Sequence, residues 1–471
     1  MGKLDTLYAR LPVWAQHIAV SSYGVYWRWL RFGLGFKRAL AEYIARERFS
    51  AEEWRDWQQR RLRELLTIAA TEVPYYRQTW GEIERRAACA GHLAELPLLE
   101  KDAVRRSPQS FLRATAERLK LYVFHTSGST GMPIATYWTR AEMQRAMALR
   151  EARSARWAGV SFNLPRATFS GRMVEPDAES RGPFHRFNAA ERQVYLSAFH
   201  LRPETTRRYA EALAHHRVKW LTGYAVSSSL LAKFLLAEGI ELPLKAVVTT
   251  SEKLTREMRD SIARAFGCRA YEEYGTVENA SFASECERGR LHVSPDAGII
   301  EILRPDGSAC LPEEEGEVVV TGLLRDHQPL IRYRLGDVAA WGAERCPCGR
   351  AMPVLKEIVG RLEDVVTGPD GRQMVRFHGV FVDQPHVFEG QIVQEARDRI
   401  RVRVVPADGF AEADAREIAR RIRQRLGPQV KVEVERVDRI SRSGAGKFKA
   451  VISRCDETER ACDIGSIHPE N

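Results

Sequence analysis

Leu119-Lys120-Leu121-Tyr122-Val123-Phe124 leads into His125-Thr126-Ser127-Gly128-Ser129-Thr130-Gly131-Met132-Pro133, and Ile134-Ala135-Thr136-Tyr137-Trp138 leads out. The flanking runs are rich in β-branched and aromatic residues and read as strands. Between them, two glycines let the backbone turn tightly and expose N–H groups, while four hydroxyls add donors, a combination that can wrap a polyphosphate. The segment is not a Walker-type loop, because Gly-Lys-Ser/Thr is missing and a strand rather than a helix follows. Taken alone, a plain hairpin turn fits it equally well.

Outward from this stretch, strands and helices alternate. Helices are predicted over Arg140 to Trp157, Glu204 to His215, Val226 to Glu238 and Arg256 to Phe266, with strands at Trp220 to Leu221 and Ala246 to Thr250. That rhythm predicts a layered α/β sheet. Upstream, Trp54, Trp57, Leu62, Leu65 and Leu66 recur at helical spacing, so one helix is expected from Ala39 to about Ala70, ended by Pro74. Beyond Asp296 short strands take over (Ile299 to Leu303, Glu317 to Thr321, Val338 to Trp341). Near Gly360 the texture changes again: a hairpin at Pro369-Asp370-Gly371, strand Ile400 to Val405, helix Ala411 to Leu426 and strand Lys431 to Arg436. The expected division is a helical N-terminal region (1–115) packed on the core, a large multilayer α/β core (116–360), and a small mobile α+β lid (361–471).

The chain has 471 residues, with 72 Lys+Arg against 62 Asp+Glu and a net charge of +10. This excess is mild for the length; it favours anions but supplies no basic block interleaved with aromatics, so nucleic acid is not expected as a partner. Eight irregularly spaced cysteines do not form a secreted disulfide pattern, and the cytoplasm is the expected setting. Val13 to Phe32 is rich in Trp and Tyr but interrupted by Gln16, His17 and Arg28, too polar to span a bilayer. Two readings stand: Trp27, Trp29, Arg28 and Arg31 rest on a membrane surface, or the helix packs its aromatic side on the main domain.

Four further segments follow in order: Tyr271-Glu272-Glu273-Tyr274-Gly275-Thr276-Val277-Glu278, Ile331-Arg332-Tyr333-Arg334-Leu335-Gly336-Asp337, Gly360-Arg361-Leu362-Glu363-Asp364 and Ser443-Gly444-Ala445-Gly446-Lys447. With the Ser/Thr/Gly loop, and in this order, they resemble the adenylate-forming superfamily of acyl-CoA synthetases, luciferases and adenylation domains, over about Leu119 to Val451. Val73-Pro74-Tyr75-Tyr76-Arg77, Cys346-Pro347-Cys348-Gly349-Arg350 and the ending Gly446-Lys447-Phe448-Lys449 resemble the phenylacetate–CoA ligase relatives found with capsule biosynthesis, together with deazaflavin-adenylating synthetases.

The resemblance implies roles that make physical sense. Ser127, Gly128, Ser129, Thr130 and Gly131 would hold the β- and γ-phosphates of ATP. Tyr274, beside Gly275, would stack on adenine, with Glu273 near the exocyclic amine. Glu278 would bind Mg²⁺. Asp337 would accept hydrogen bonds from both ribose hydroxyls, a task for an ionised carboxylate. Arg361 would lie near the ribose and phosphate, and Lys447 would bring positive charge to the attacking carboxylate and α-phosphate. Three positions depart from the family pattern: Met132 where a lysine is common, Val277 where Thr or Ser precedes the acid, and Glu363 at the hinge where Asp is frequent.

Cys286, His292, Cys346 and Cys348 supply three thiolates and one imidazole, the set of a closed tetrahedral structural zinc site, and a similar cluster binds zinc in some relatives. Reduced thiols in a loop are the alternative. The expected reaction is ATP-dependent activation of a small carboxylic acid as acyl-AMP with release of pyrophosphate, then acyl transfer, with CoA the leading acceptor. An adenylyltransferase acting on a hydroxyl, an amide- or ester-forming ligase without CoA, and a silent relative in polysaccharide assembly remain as alternatives. The acid, expected among Phe199, Tyr224 and neighbouring segments, and the oligomeric state are not readable.

Overall fold

The structure is a computed structural model, which describes Tyr8 and residues 11–126, 133–171, 174–175, 180–358, 366–374, 378–381, 384–438, 440 and 451–455. Its centre is a twelve-stranded sheet. Five neighbouring strands run parallel: Ala270–Gly275, Ala246–Thr250, Trp220–Gly223, Arg166–Ser170 and Gln193–Ser197. His185–Asn188 closes that edge antiparallel. On the other side of Ala270–Gly275 every pairing is antiparallel, through Phe282–Glu285, Leu291–Val293, Val354–Ile358, Tyr333–Trp341, Glu315–Gly322 and Gly298–Leu303. Ala270–Gly275 is therefore the strand where a buried parallel sheet turns into an antiparallel one. A parallel sheet has helices on its faces, and its ligands gather at the carboxyl ends of its strands.

Strand Ala246–Thr250 and helix Arg256–Phe266 match their predicted limits. The helix start is set by Thr255, whose hydroxyl accepts from Met258 N at 3.3 Å, and its end by Gly267 in the left-handed region. The single upstream helix predicted from Ala39 to Ala70 is corrected to two, Leu34–Arg46 and Ala51–Glu72. Ser50 and Glu53 form a reciprocal capping box, with N–H to side-chain oxygen distances of 3.1 and 2.7 Å, and this starts the second helix afresh. Buried Arg153 ties the first of these helices to the sheet through Tyr43 O at 2.8 Å and Asp296 at 3.4 Å.

Tyr122–His125 and Ala135–Trp138 pair antiparallel, Tyr122 opposite Trp138 and His125 opposite Ala135, as the strand–loop–strand reading requires. Thr126 closes the base of the loop: its hydroxyl accepts from Ile134 N at 2.9 Å. Downstream, Val387–Ala396, Arg399–Pro406, Lys431–Arg436 and Val451–Ser453 form a separate four-stranded sheet under helix Glu412–Leu426. Ile392, Ile400, Val402, Ile418, Ile422 and Leu426 are fully buried in the core of this smaller sheet. The predicted hairpin at Pro369-Asp370-Gly371 is present, joining Val366–Thr367 to Gln373–Met374.

Candidate functional site

Strand Tyr333–Trp341 holds a defect that exposes a carboxylate. Arg334 pairs with Val319 and Val338 with Glu317, so Leu335, Gly336 and Asp337 stand opposite Val318 alone. Gly336, at φ 69°, takes the left-handed turn that such a bulge needs. The bulge carries Asp337 off the ladder, where its Oδ2 accepts the Tyr274 hydroxyl at 2.8 Å. Tyr274 sits near the carboxyl end of Ala270–Gly275, and its ring is half-buried. A ring face and a carboxylate acceptor are thus joined at the sheet's switch strand.

Glu278 follows within a few residues and is buried. Tyr333, fully buried on the strand that bears Asp337, donates its hydroxyl to Glu278 Oε1 at 3.1 Å. Arg325 bridges this segment to the strand leaving the Ser/Thr/Gly loop: Nη1 donates to Glu278 O at 2.8 Å and Nη2 to Tyr137 O at 2.6 Å. Burial lowers the Arg325 pKa to about 10, opposed by Glu142 and Glu278, and the side chain stays charged at neutral pH. Behind it, burial alone would raise the Glu142 carboxyl. Hydrogen bonding from His327, the Arg325 charge and the Thr139 N–H outweigh that effect and hold it down to about 2. Sequence reading gave no role to Arg325, Tyr333 or Glu142, because the contacts that tie them to the site reach across 47 to 188 residues.

Glu273 is buried and engaged by Arg150, whose Nε reaches its two oxygens at 3.0 and 3.2 Å. Thr276 Oγ1 and Asn279 Nδ2, beside Glu278 in the sequence, are buried and have no hydrogen-bond partner among the described residues. Phe199 and Tyr224, named for the acid pocket, are both buried: Tyr224 in the cluster beneath the parallel strands, Phe199 against the core of the smaller sheet. Ser127, Gly128, Ser129, Thr130, Gly131 and Met132, together with Arg361, Glu363 and Lys447, lie outside the described residues.

The structure brings all four metal-type residues together. The ligand atoms of Cys286, His292, Cys346 and Cys348 lie within 4.8 Å of one another. Cys286 and Cys346 sulfurs are 3.6 Å apart, far beyond a disulfide bond, and Cys348 Sγ is 3.3 Å from His292 Nε2. Zinc bonds of about 2.3 Å to sulfur and about 2.0 Å to nitrogen give tetrahedral edges of about 3.8 Å between sulfurs and about 3.5 Å from sulfur to nitrogen, so the donor set fits. His292 Nδ1 lies 3.2 Å from Met352 O; donation there fixes the tautomer and leaves Nε2 for a metal. Burial lowers the His292 pKa to about 4, which keeps the imidazole neutral, and raises the Cys346 thiol to about 12. A central cation would reverse the second effect and release the proton. Cys286 sits at the turn between Phe282–Glu285 and Leu291–Val293, and the Cys-Pro-Cys loop joins Tyr333–Trp341 to Val354–Ile358. The cluster therefore brings the hairpin after Ala270–Gly275 against the loop that follows the strand of Asp337.

The parallel-to-antiparallel sheet, the bulged aspartate and the ordered motifs define the class, an adenylate-forming ligase. Within it, the chain is similar to CapK and to the phenylacetate–coenzyme A ligases. Residues 372–454 match the CapK C-terminal domain family. The chain is 25% identical to Protein CapK of Staphylococcus aureus over 96% of its own length and 99% of that protein. It is 26% identical to the phenylacetate-coenzyme A ligase of Thermus thermophilus, over 86% and 98%. A solved structure of 2-hydroxyisobutyryl-CoA ligase, with 2-HIB-AMP and CoA in the thioesterification state, shares the fold at TM-score 0.58 and 22% identity. It covers 89% of this chain and 93% of that one.

Proposed function

We propose that this chain activates a carboxylic acid with ATP, forming acyl-AMP and pyrophosphate, and then transfers the acyl group to coenzyme A. The observation that carries the reading is Asp337, lifted out of its strand onto the Tyr274 hydroxyl, with Glu278 held by Tyr333 of the same strand. Tyr274 offers a ring face to adenine, and Asp337 retains lone pairs to accept the ribose hydroxyls. Ser127 to Gly131 cradle the β- and γ-phosphates, at the end of a hairpin that Arg325 ties to Glu278. The residues around Glu278 suit a magnesium ion, which when bound would neutralise phosphate charge.

A carboxylate oxygen of the substrate attacks the α-phosphorus, a P–O bond forms, and the bond to pyrophosphate breaks. Lys447 and Arg361 supply positive charge where it accumulates in that transition state. The sulfur of CoA then attacks the acyl carbonyl, and AMP leaves with its bonding pair. Residues 361–471 act as a lid that turns about Glu363 between the two steps. Residues 1–115 pack on a core of residues 116–360. Cys286, His292, Cys346 and Cys348 hold a structural zinc that takes no part in the chemistry. The free thiols among the described cysteines fit a reducing compartment, and the cytoplasm is the proposed setting.

The test is to incubate protein, ATP and Mg²⁺ with a panel of carboxylic acids, then add CoA, amines or sugar nucleotides separately, with products read by mass spectrometry. Acyl-AMP discharged by CoA supports the reading. AMP attached to a hydroxyl, or discharge by an amine or sugar with CoA inert, overturns the corresponding half.

A further inference from the structure

The first helix, Val13–Arg31, sits on the sheet edge with its polar side inward. Gln16 is buried and bonded by Arg186, Phe187 N donates to His17 Nδ1 at 2.8 Å, Ala189 N donates to Ser21 Oγ at 3.0 Å, and Arg31 pairs with Glu191. Gly24 packs so closely that a Cβ there would fall 2.0 Å from Asn188 Oδ1. Only Trp27 and Leu30 among its large apolar residues join a core cluster. Of the helix's aromatic residues Trp27 packs inward on Phe124, while Trp14, Tyr23 and Trp29 are exposed; of the residues named for a membrane contact, Trp27 and Arg31 are thus engaged with the protein.

The outward stripe is apolar. Trp14, Ile18, Val25 and Trp29 are spaced four, seven and four residues apart, on one helical face, and are 67, 58, 61 and 49% exposed. From Trp14 to Trp29 this stripe runs about 22 Å. Tyr26 lies beside it, and Leu34, 85% exposed, opens the next helix. A helix of a globular protein normally shows the reverse arrangement. No carboxylate occurs between Val13 and Ala41, a stretch with four cations. Arg28 and Lys37 have no carboxylate partner among the described residues, and the Arg140 guanidinium lies 3.8 Å from the Trp29 ring centroid. No helix of the described residues is long and apolar enough to cross a membrane.

We propose that this face docks on an anionic lipid bilayer, the helix lying in the interfacial plane. Trp14, Ile18, Val25 and Trp29 enter the headgroup–acyl boundary, while Arg28, Lys37 and Arg140 meet lipid phosphates. Aromatic rings beside cations, with no carboxylates, match the chemistry of that boundary. A second copy of the chain is a poorer occupant, since a two-fold contact would set this cationic face against itself.

The test is flotation of the full chain with phosphatidylcholine vesicles, with and without phosphatidylglycerol, beside the variant Trp14→Ser/Ile18→Ser/Val25→Ser. Circular dichroism and light scattering check the variant's fold and the size of both proteins. The parent should float with the anionic vesicles and bind neutral ones more weakly. The variant, unchanged in fold, should lose about tenfold or more of the anionic binding. Absence of flotation by the parent, equal flotation of parent and variant, or a parent dimer that the variant dissolves would each overturn the proposal.

Discussion

Asp337→Asn is the substitution that isolates the proposed nucleotide contact. Asparagine keeps the shape and can still accept the Tyr274 hydroxyl, now 2.8 Å from Oδ2, so the bulge at Gly336 should survive. What is lost is the negative charge that lets one group accept two ribose hydroxyls. Hydrogen bonds to a charged partner contribute about 1.5–3 kcal/mol each, so two give about 3–6 kcal/mol. That corresponds to a weakening of ATP binding by roughly 10²–10⁴-fold. Tyr274→Phe removes only the bond between the two side chains, keeps the ring face, and should cost within about tenfold. Equilibrium dialysis with labelled ATP measures both without knowing the acid. Comparison with 2′-deoxy-ATP sharpens the result: the parent should discriminate against it, and Asp337→Asn should not. Unchanged ATP affinity in Asp337→Asn, with discrimination intact, would refute the assignment.

The other outcomes follow from separate parts of the molecule. Glu278→Ala, which also removes the bond from the Tyr333 hydroxyl to this carboxylate, should raise the Mg²⁺ needed for half-maximal pyrophosphate exchange by about tenfold or more, measured by titrating the metal. Freshly purified protein should contain about one zinc per chain by elemental analysis, and Cys346→Ser/Cys348→Ser should lower Tm on the order of 5 °C or more. Burial, with the neighbouring histidines, lowers His185 and His216 to about 4, whereas the unfolded chain takes up protons below about 6.5. Their contribution to stability is full above pH 6.5 and is lost as pH falls from about 6.5 to about 4. Thermal melts of His185→Gln/His216→Gln should show a flatter decline over that window than the parent.

Local chemistry made some elements legible to the residue. Strand Lys431–Arg436 alternates its side chains, and helix Arg256–Phe266 carries its own cap and stop. Other elements depend on distant partners. Tyr271 to Gly275 belongs to a strand at the centre of the large sheet, although Glu272 and Glu273 are poor strand residues. Their charges are met by Arg259 and Arg150 from separate helices, which no local pattern announces. Val387–Ala396 was missed because Gly390, Gln391 and Gln394 break its apolar run, yet Gln394 is buried and bonded to Thr367 O at 2.6 Å. Asp337 and Tyr274 were legible as motif residues, but the bulge that joins them depends on register with Val318. The Cys/His cluster was legible as a donor set, since residue type alone carries most of that signal.

The central claim is acid-dependent adenylation, and pyrophosphate exchange tests it most directly. Labelled pyrophosphate should enter ATP only when a particular carboxylic acid from a broad panel is present. Lys447→Ala should abolish that exchange by several orders of magnitude, while ATP binding stays within about threefold of the parent, because the charge acts mainly at the transition state. Lys447→Ala exchanging pyrophosphate like the parent, or exchange by the parent that no carboxylic acid stimulates, would contradict the account.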